Sequence, residues 1–181
     1  MWLDRKVVGC IIGVLVLAIT LPCWPQSLKV IPAPMHNVAL PAQIRIYCAN
    51  NYTSEKCAAH AGILAAELSK YQVSQLKQWS FAVVPSDEWK QLVIAMKGNP
   101  DSPAFTVLEN RTTLFESALF EPVASRTYVL FKEFRAQGGD LLDLAVTHEL
   151  GHALCSDPDE RRAEENGQLI RAGKTVVCNR R

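Results

Sequence analysis

Two histidines four residues apart bracket a glutamate in the run His148-Glu149-Leu150-Gly151-His152. On a helix, residues so spaced stand one above the other on the same face, and two imidazoles there can reach one metal ion. The glutamate beside the first histidine then points toward the open coordination position, where a water can sit. The chemistry such residues support is metal-assisted hydrolysis, with Glu149 as the general base. The bland alternative is a pair of surface histidines with a chance glutamate between them. The surroundings weigh against it. Asp140 is a good N-cap, and Asp143 places a carboxylate in the first turn, where the helix dipole favours it. Leu141, Leu142, Leu144, Ala145, Val146, Leu150, Ala153 and Leu154 make the segment apolar on nearly every side, the pattern of a buried helix. Buried histidines beside a buried glutamate need a partner or a metal, because unpaired polar groups are costly there.

A third ligand can come from the residues that follow. Asp157-Pro158 reads as a helix start, with Asp157 as N-cap and Pro158 at the first helical position. Glu160 then completes an Asp-x-x-Glu capping box. Two helices joined by so short a turn run antiparallel. His152 lies about one turn before the first helix ends, and Glu160 about one turn after the second begins, so they stand at similar heights. Glu164 stands nearer the height of His148. Catalytic zinc usually takes three protein ligands and leaves a position open. Glu160 is therefore assigned as third ligand and Glu164 as the carboxylate that orients His148 through its free ring nitrogen. Exchange of roles between the two glutamates is the alternative. So is a Glu160 that only caps its helix.

HELGH followed by Glu160-x-x-Ala163-Glu164-x-x-Gly167 resembles the gluzincin metalloproteases over the last forty-odd residues. The resemblance implies a zincin fold, one zinc ion per chain and hydrolysis of peptide bonds. It implies a glutamate third ligand on the helix after the motif, an acidic residue four positions later supporting the first histidine, and a small residue between them that lets the helices pack closely. The pattern HExxHxxGxxH of the metzincins fails, with Cys155 at the glycine and Pro158 at the third histidine. Gluzincin peptidases often supply a Tyr or His to stabilise the oxyanion, and no Tyr or His follows His152. Tyr128, His60 or Arg162 are the candidates elsewhere.

The N-terminus places the chain across a membrane. Arg5 and Lys6 precede an uncharged apolar stretch from Val7 to Leu21, shorter than a membrane span and about right for a signal peptide. Residues 1–23 are read as a signal peptide or uncleaved anchor, and 24–42, with four prolines, as an extended linker. The destination is secreted or periplasmic, with membrane contact only through the N-terminal segment if it is retained. Cysteine usage agrees. Of six cysteines, Cys48, Cys57, Cys155 and Cys178 fall in the mature domain, an even count that suggests two disulfides in an exported chain. Cys48–Cys57 would close a short polar loop, and Cys155–Cys178 would tie the metal helix to the tail. The formal net charge is +1, from the N-terminal segment, so the mature domain is near neutral. No basic face points to nucleic acid.

The elements that must position the motif fill residues 43–181, enough for one core. Strands are expected at 44–48, 79–84, 104–109 and 128–134, and helices at 57–71 and from 86, the latter ended by Gly98-Asn99-Pro100. The expectation is an α+β fold: a single small zincin-like domain, a mostly antiparallel sheet, the HExxH helix and a following antiparallel helix. In zincins a sheet edge beside the active helix takes the substrate backbone as an added strand. Residues 113–115 or 128–131 are the candidates, though each also reads as an ordinary core strand. His36 and His60 lack a partner pattern and read as structural. The leading function is a zinc metallopeptidase acting on a peptide or protein. The alternative is an exported zincin-fold binding module with metal but little catalysis.

Overall fold

The computed structural model describes residues 30–33, 40–49, 51–121 and 140–178. The N-terminal export segment, most of the linker, His36, Tyr128 and the strand expected at 128–134 lie outside these residues. Among the described residues five strands form one sheet: β1 Val30–Pro32, β2 Ile44–Ala49, β3 Trp79–Val84, β4 Ala104–Val107 and β5 Thr112–Glu116. Their spatial order is β1-β2-β3-β5-β4. The α-helices among the described residues are α1 Ser54–Leu68, α2 Ser86–Ala95, α3 Leu141–Cys155 and α4 Glu160–Arg171.

The fold is α+β, but the sheet is mixed rather than mostly antiparallel. β2–β3 and β3–β5 run parallel, while β1–β2 and β5–β4 run antiparallel. Parallel neighbours need a long crossover, and α1 supplies it between β2 and β3. A strand covered on both faces loses its alternation and becomes a continuous apolar run. β3, Trp-Ser-Phe-Ala-Val-Val, is such a strand, with five of its six residues buried. Its sequence marks it as central without revealing the direction of its neighbours.

Local chemistry sets the helices. Thr53 caps α1 by accepting from the Lys56 N–H at 3.2 Å. Cys57, His60, Ala61, Leu64, Ala65 and Leu68 then recur at helical spacing and form its buried face. This face packs on β2 and β3 and touches α3. Cys48 and Cys57, both fully buried, form the disulfide that joins β2 to α1. α2 begins after Pro85 and buries Trp89, Leu92 and Val93. Between β4 and β5 the chain turns through Arg111, at φ 53°, and the Arg111 N–H donates to the Leu108 carbonyl.

α3 and α4 form the most extensive contact between any two elements described. Asp140 caps α3 by accepting from the Leu142 N–H at 2.9 Å. Eleven of the fifteen residues of α3 are buried, as its apolar sequence requires. The expected start of the second helix moves by two residues. Its N-cap is Asp159, which accepts from the Arg162 N–H at 2.9 Å, and not Asp157. Ser156, at φ 50°, ends α3, and the Asp157 carboxylate is taken up by the Asp159 N–H and the Arg162 guanidinium. Glu160 is thus the first residue of α4 and is not part of a capping box.

Close approach of the two helices depends on glycine. A Cβ on Gly151 would run into the Ala163 carbonyl oxygen, and one on Gly167 would lie 3.0 Å from the Thr147 carbonyl oxygen. The register 151 against 163 and 147 against 167 makes the pair antiparallel. Cys155–Cys178 closes the unit from the far side.

Candidate metal centre

His148, His152 and Glu160 bring one potential ligand atom each to within 4.8 Å of one another, and the group could hold a metal ion. The two imidazole rings sit 5.0 Å apart at 78°. Glu160 Oε2 lies 3.0 Å from His148 Nε2 and 3.5 Å from His152 Nε2. Helix α3 aims both rings from one face, and the first turn of α4 brings the carboxylate across.

The other ring nitrogens fix what the Nε2 atoms can do. His152 Nδ1 lies 2.6 Å from the Asp157 carbonyl oxygen, which can only accept, so Nδ1 carries the hydrogen. His148 Nδ1 meets Glu164 Oε2 at 3.3 Å, and an ionised carboxylate likewise only accepts. In the neutral rings both Nε2 atoms therefore present lone pairs toward Glu160. Three electron-pair donors converge with no hydrogen among them. Such a set is stable only around positive charge, either a cation or the protons of charged rings. Two imidazoles and a carboxylate are the donor types that suit a zinc site.

Beside this triad, Glu149 is buried at 5 % exposure, and its Oε2 has no hydrogen-bond partner. Burial pushes its carboxyl above the ordinary value, against a hydrogen bond from Thr106 and the nearby histidines. A buried unpaired carboxylate oxygen is costly and marks a place where a ligand or water is expected. Glu164 has the opposite balance. Burial works to raise it, but hydrogen bonds from Gln168 and His148 and the charge of Arg171 hold it below its ordinary value. Arg171 ties the helices together here, donating to Thr147 Oγ1 at 2.8 Å and to Glu164 Oε1 at 3.4 Å.

The site opens into a cleft of about 660 Å³ between α3, the start of α4 and strand β4. Its walls include Met96, Leu108 and Leu144 with Thr106, and the metal-centre residues form its floor. The cleft-side edge strand is β4, residues 104–107. β5, which contains the expected 113–115, is paired on both sides and is a core strand. Among the described strands β4 stands at the end of the sheet and pairs only with β5.

Of the suggested oxyanion stabilisers, neither His60 nor Arg162 lines the cleft. His60 is buried between Phe120, stacked at 5.3 Å, and Tyr52, whose hydroxyl lies 3.3 Å from Nδ1. Arg162 is committed to Asp157, whose carboxyl it holds at about 2. Tyr128 lies outside the described residues.

Reading the sequence did not identify Thr106, Arg171 or the Asp157 carbonyl as parts of the site. Thr106 arrives from a distant strand and Arg171 from three turns along α4, and neither has a local signal. The Asp157 carbonyl follows from the turn after His152, whose conformation was misjudged by two residues. Among the described residues no helix is long and apolar enough to cross a membrane. The two disulfides are compatible with an extracellular protein. The chain matches no family model, no curated protein and no solved structure with which it was compared.

Proposed function

We propose that the chain is an exported zinc-dependent metallopeptidase. The observation that carries this reading is the convergence of His148, His152 and Glu160 beside a buried Glu149 oxygen with no partner, at the floor of an open cleft. His148, His152 and Glu160 would hold one Zn²⁺. When bound, the ion supplies Lewis acidity that polarises a carbonyl and lowers the pKa of water to about 7. Glu149 accepts the proton of the attacking water and returns it to the leaving amine. Burial suits Glu149 to that exchange, because a carboxylate with raised proton affinity is the better base. Glu164 and the Asp157 carbonyl hold the ring tautomers that keep both Nε2 atoms available. The outer edge of β4 accepts an extended peptide as an added strand, and the cleft takes its side chains. Secretion or export to the periplasm fits the N-terminal segment and the disulfides.

A second reading has its own support. Among the described residues lining the cleft there is no Tyr, Lys or Arg to stabilise an oxyanion. A module that binds metal and peptide without efficient turnover fits that lining. Incubation of metal-replete protein with a broad peptide library separates the two readings. The peptidase reading expects cleavage that falls by about 10²-fold or more in Glu149→Gln at unchanged metal content. Cleavage unaffected by that substitution ends the proposal.

A further inference from the structure

Glu160 and Glu164 stand about one turn apart on α4, and each meets a different nitrogen of the same ring. Glu160 Oε2 lies 3.0 Å from His148 Nε2, and Glu164 Oε2 lies 3.3 Å from His148 Nδ1. Two carboxylates of one kind beside one imidazole could exchange places. Their other partners tell them apart. Among the described residues the Glu160 carboxylate meets only the two histidine rings, and its side chain is 80 % exposed. Glu164 is held from behind. Its Oε1 accepts from Gln168 Nε2 at 3.1 Å and from Arg171 Nη2 at 3.4 Å, which leaves Oε2 for His148.

Gln168 and Arg171 follow Glu164 at helical spacing, so the three share one face of α4. Of the partners of Glu164, Arg171 alone is permanently charged. It is also anchored at its other end. Its Nη1 donates to Thr147 Oγ1 at 2.8 Å, and the fully buried Thr147 donates in turn to the Asp143 carbonyl at 2.7 Å. A guanidinium is a rigid planar fork, so fixing one prong on α3 fixes the direction of the other. The helices permit this reach because Gly167 sits against the backbone of His148, where an added Cβ would lie 3.2 Å from Cα.

We propose that Arg171 is a positioning residue that pins the Glu164 carboxylate on His148 Nδ1 and so sorts the two glutamates, Glu164 as support and Glu160 as metal ligand. Its hydrogen bonds go to Thr147 and Glu164 and to none of the three converging ligands, so it acts through Glu164. The sorting rests on the metal-binding reading of the site and is independent of turnover.

The test uses full-length protein with two readouts. The first is zinc affinity by chelator competition. Arg171→Gln should weaken binding by about tenfold, and by no more than about twofold in a chain that already carries Glu164→Gln. A residue that merely stapled α3 to α4 would cost the same in both backgrounds. Arg171→Lys keeps the charge but not the fork, and should fall between wild type and Arg171→Gln. The second readout is the His148 ring in zinc-loaded protein, followed by proton–nitrogen NMR. Its Nδ1–H signal, identified by its displacement in Glu164→Gln, should move in Arg171→Gln. It should stay in place in Arg161→Gln, because Arg161 pairs with Glu165 instead. Circular dichroism of the metal-free variants checks that α3 and α4 are kept. Equal losses of affinity in the two backgrounds, or a His148 signal that stays in place in Arg171→Gln, overturn the proposal. The expected coupling in a protein that binds zinc but cleaves no peptide supports it and removes the peptidase reading instead. A chain that takes up no zinc removes the metal centre, and the sorting with it.

Discussion

Replacing Gly151 by alanine should destabilise the domain, although alanine is the better helix former. The propensity gain is about 1 kcal/mol. Against it stands a methyl group that would overlap the Ala163 carbonyl oxygen and lie 3.0 Å from the carbonyl carbon and 3.1 Å from Cα. These are backbone atoms, so no change of rotamer makes room. The helices must part, and overpacking of this kind costs typically about 1–3 kcal/mol. Parting them also returns apolar surface to water at roughly 25 cal/mol per Å². The expected net loss is about 1–2 kcal/mol, a fall in Tm of roughly 3–8 °C for a domain of this size. Gly62, in α1, is the control. A Cβ there would meet nothing within 4 Å, so Gly62→Ala should gain roughly 0.5–1 kcal/mol. Urea denaturation followed by circular dichroism measures both, on metal-free protein so that metal binding does not add to stability. If Gly151→Ala is stabilised by as much as Gly62→Ala, α3 and α4 are not in backbone contact and the geometry of the metal centre is wrong with them.

Removing Glu160 should weaken metal binding more than removing Glu164. Glu164→Gln removes only the support of His148 and should cost about 10–100-fold in affinity, measured by chelator competition, and a larger loss in Glu164→Gln than in Glu160→Gln would exchange their roles. Asp157 should contribute an acid-sensitive share of stability. Its carboxyl sits at about 2 beside Arg162 against an ordinary 3.8, so the contribution is complete above about pH 4 and is lost as pH falls toward 2. In Arg162→Ala that part of the pH dependence should shrink, leaving the share from the Asp159 N–H, and in wild type added salt should weaken it, because both groups are solvent-accessible. Denaturation midpoints at a series of acid pH values decide this, and an Arg162→Ala profile identical to wild type contradicts it.

Much of the scaffold was legible because it is written locally. The apolar run after Asp140 announced a buried helix, and the alanine-rich run with Leu64 and Leu68 announced another, although Ile63, which reads as part of the same apolar face, is exposed. Both disulfides are the pairs favoured by an even cysteine count and a short loop between Cys48 and Cys57, out of three possible connectivities. The helix start at Asp159 was missed because Asp157-Pro158 carries the same signal, and Arg162 decides between the two by engaging the Asp157 carboxylate. The parallel pairings of β3 were hidden because a strand buried on both faces reads the same in either direction. The place of residues 113–115 inside the sheet was hidden for a related reason: nothing in residues 104–107 or 113–115 states which has a neighbour on each side. Thr106 reaches Glu149 only after β4 has folded against α3. Contacts of that kind belong to the tertiary structure and leave no trace in local spacing.

Metal analysis of the purified protein tests the central claim most directly. Protein purified without added chelator, measured by elemental mass spectrometry, should hold one zinc per chain, retain it in Glu149→Gln and lose it in His148→Ala. A wild-type chain that holds no metal after equilibration with zinc, or a His148→Ala variant that holds as much as wild type, contradicts the claim. The three converging donors would then be held by protons on the histidine rings.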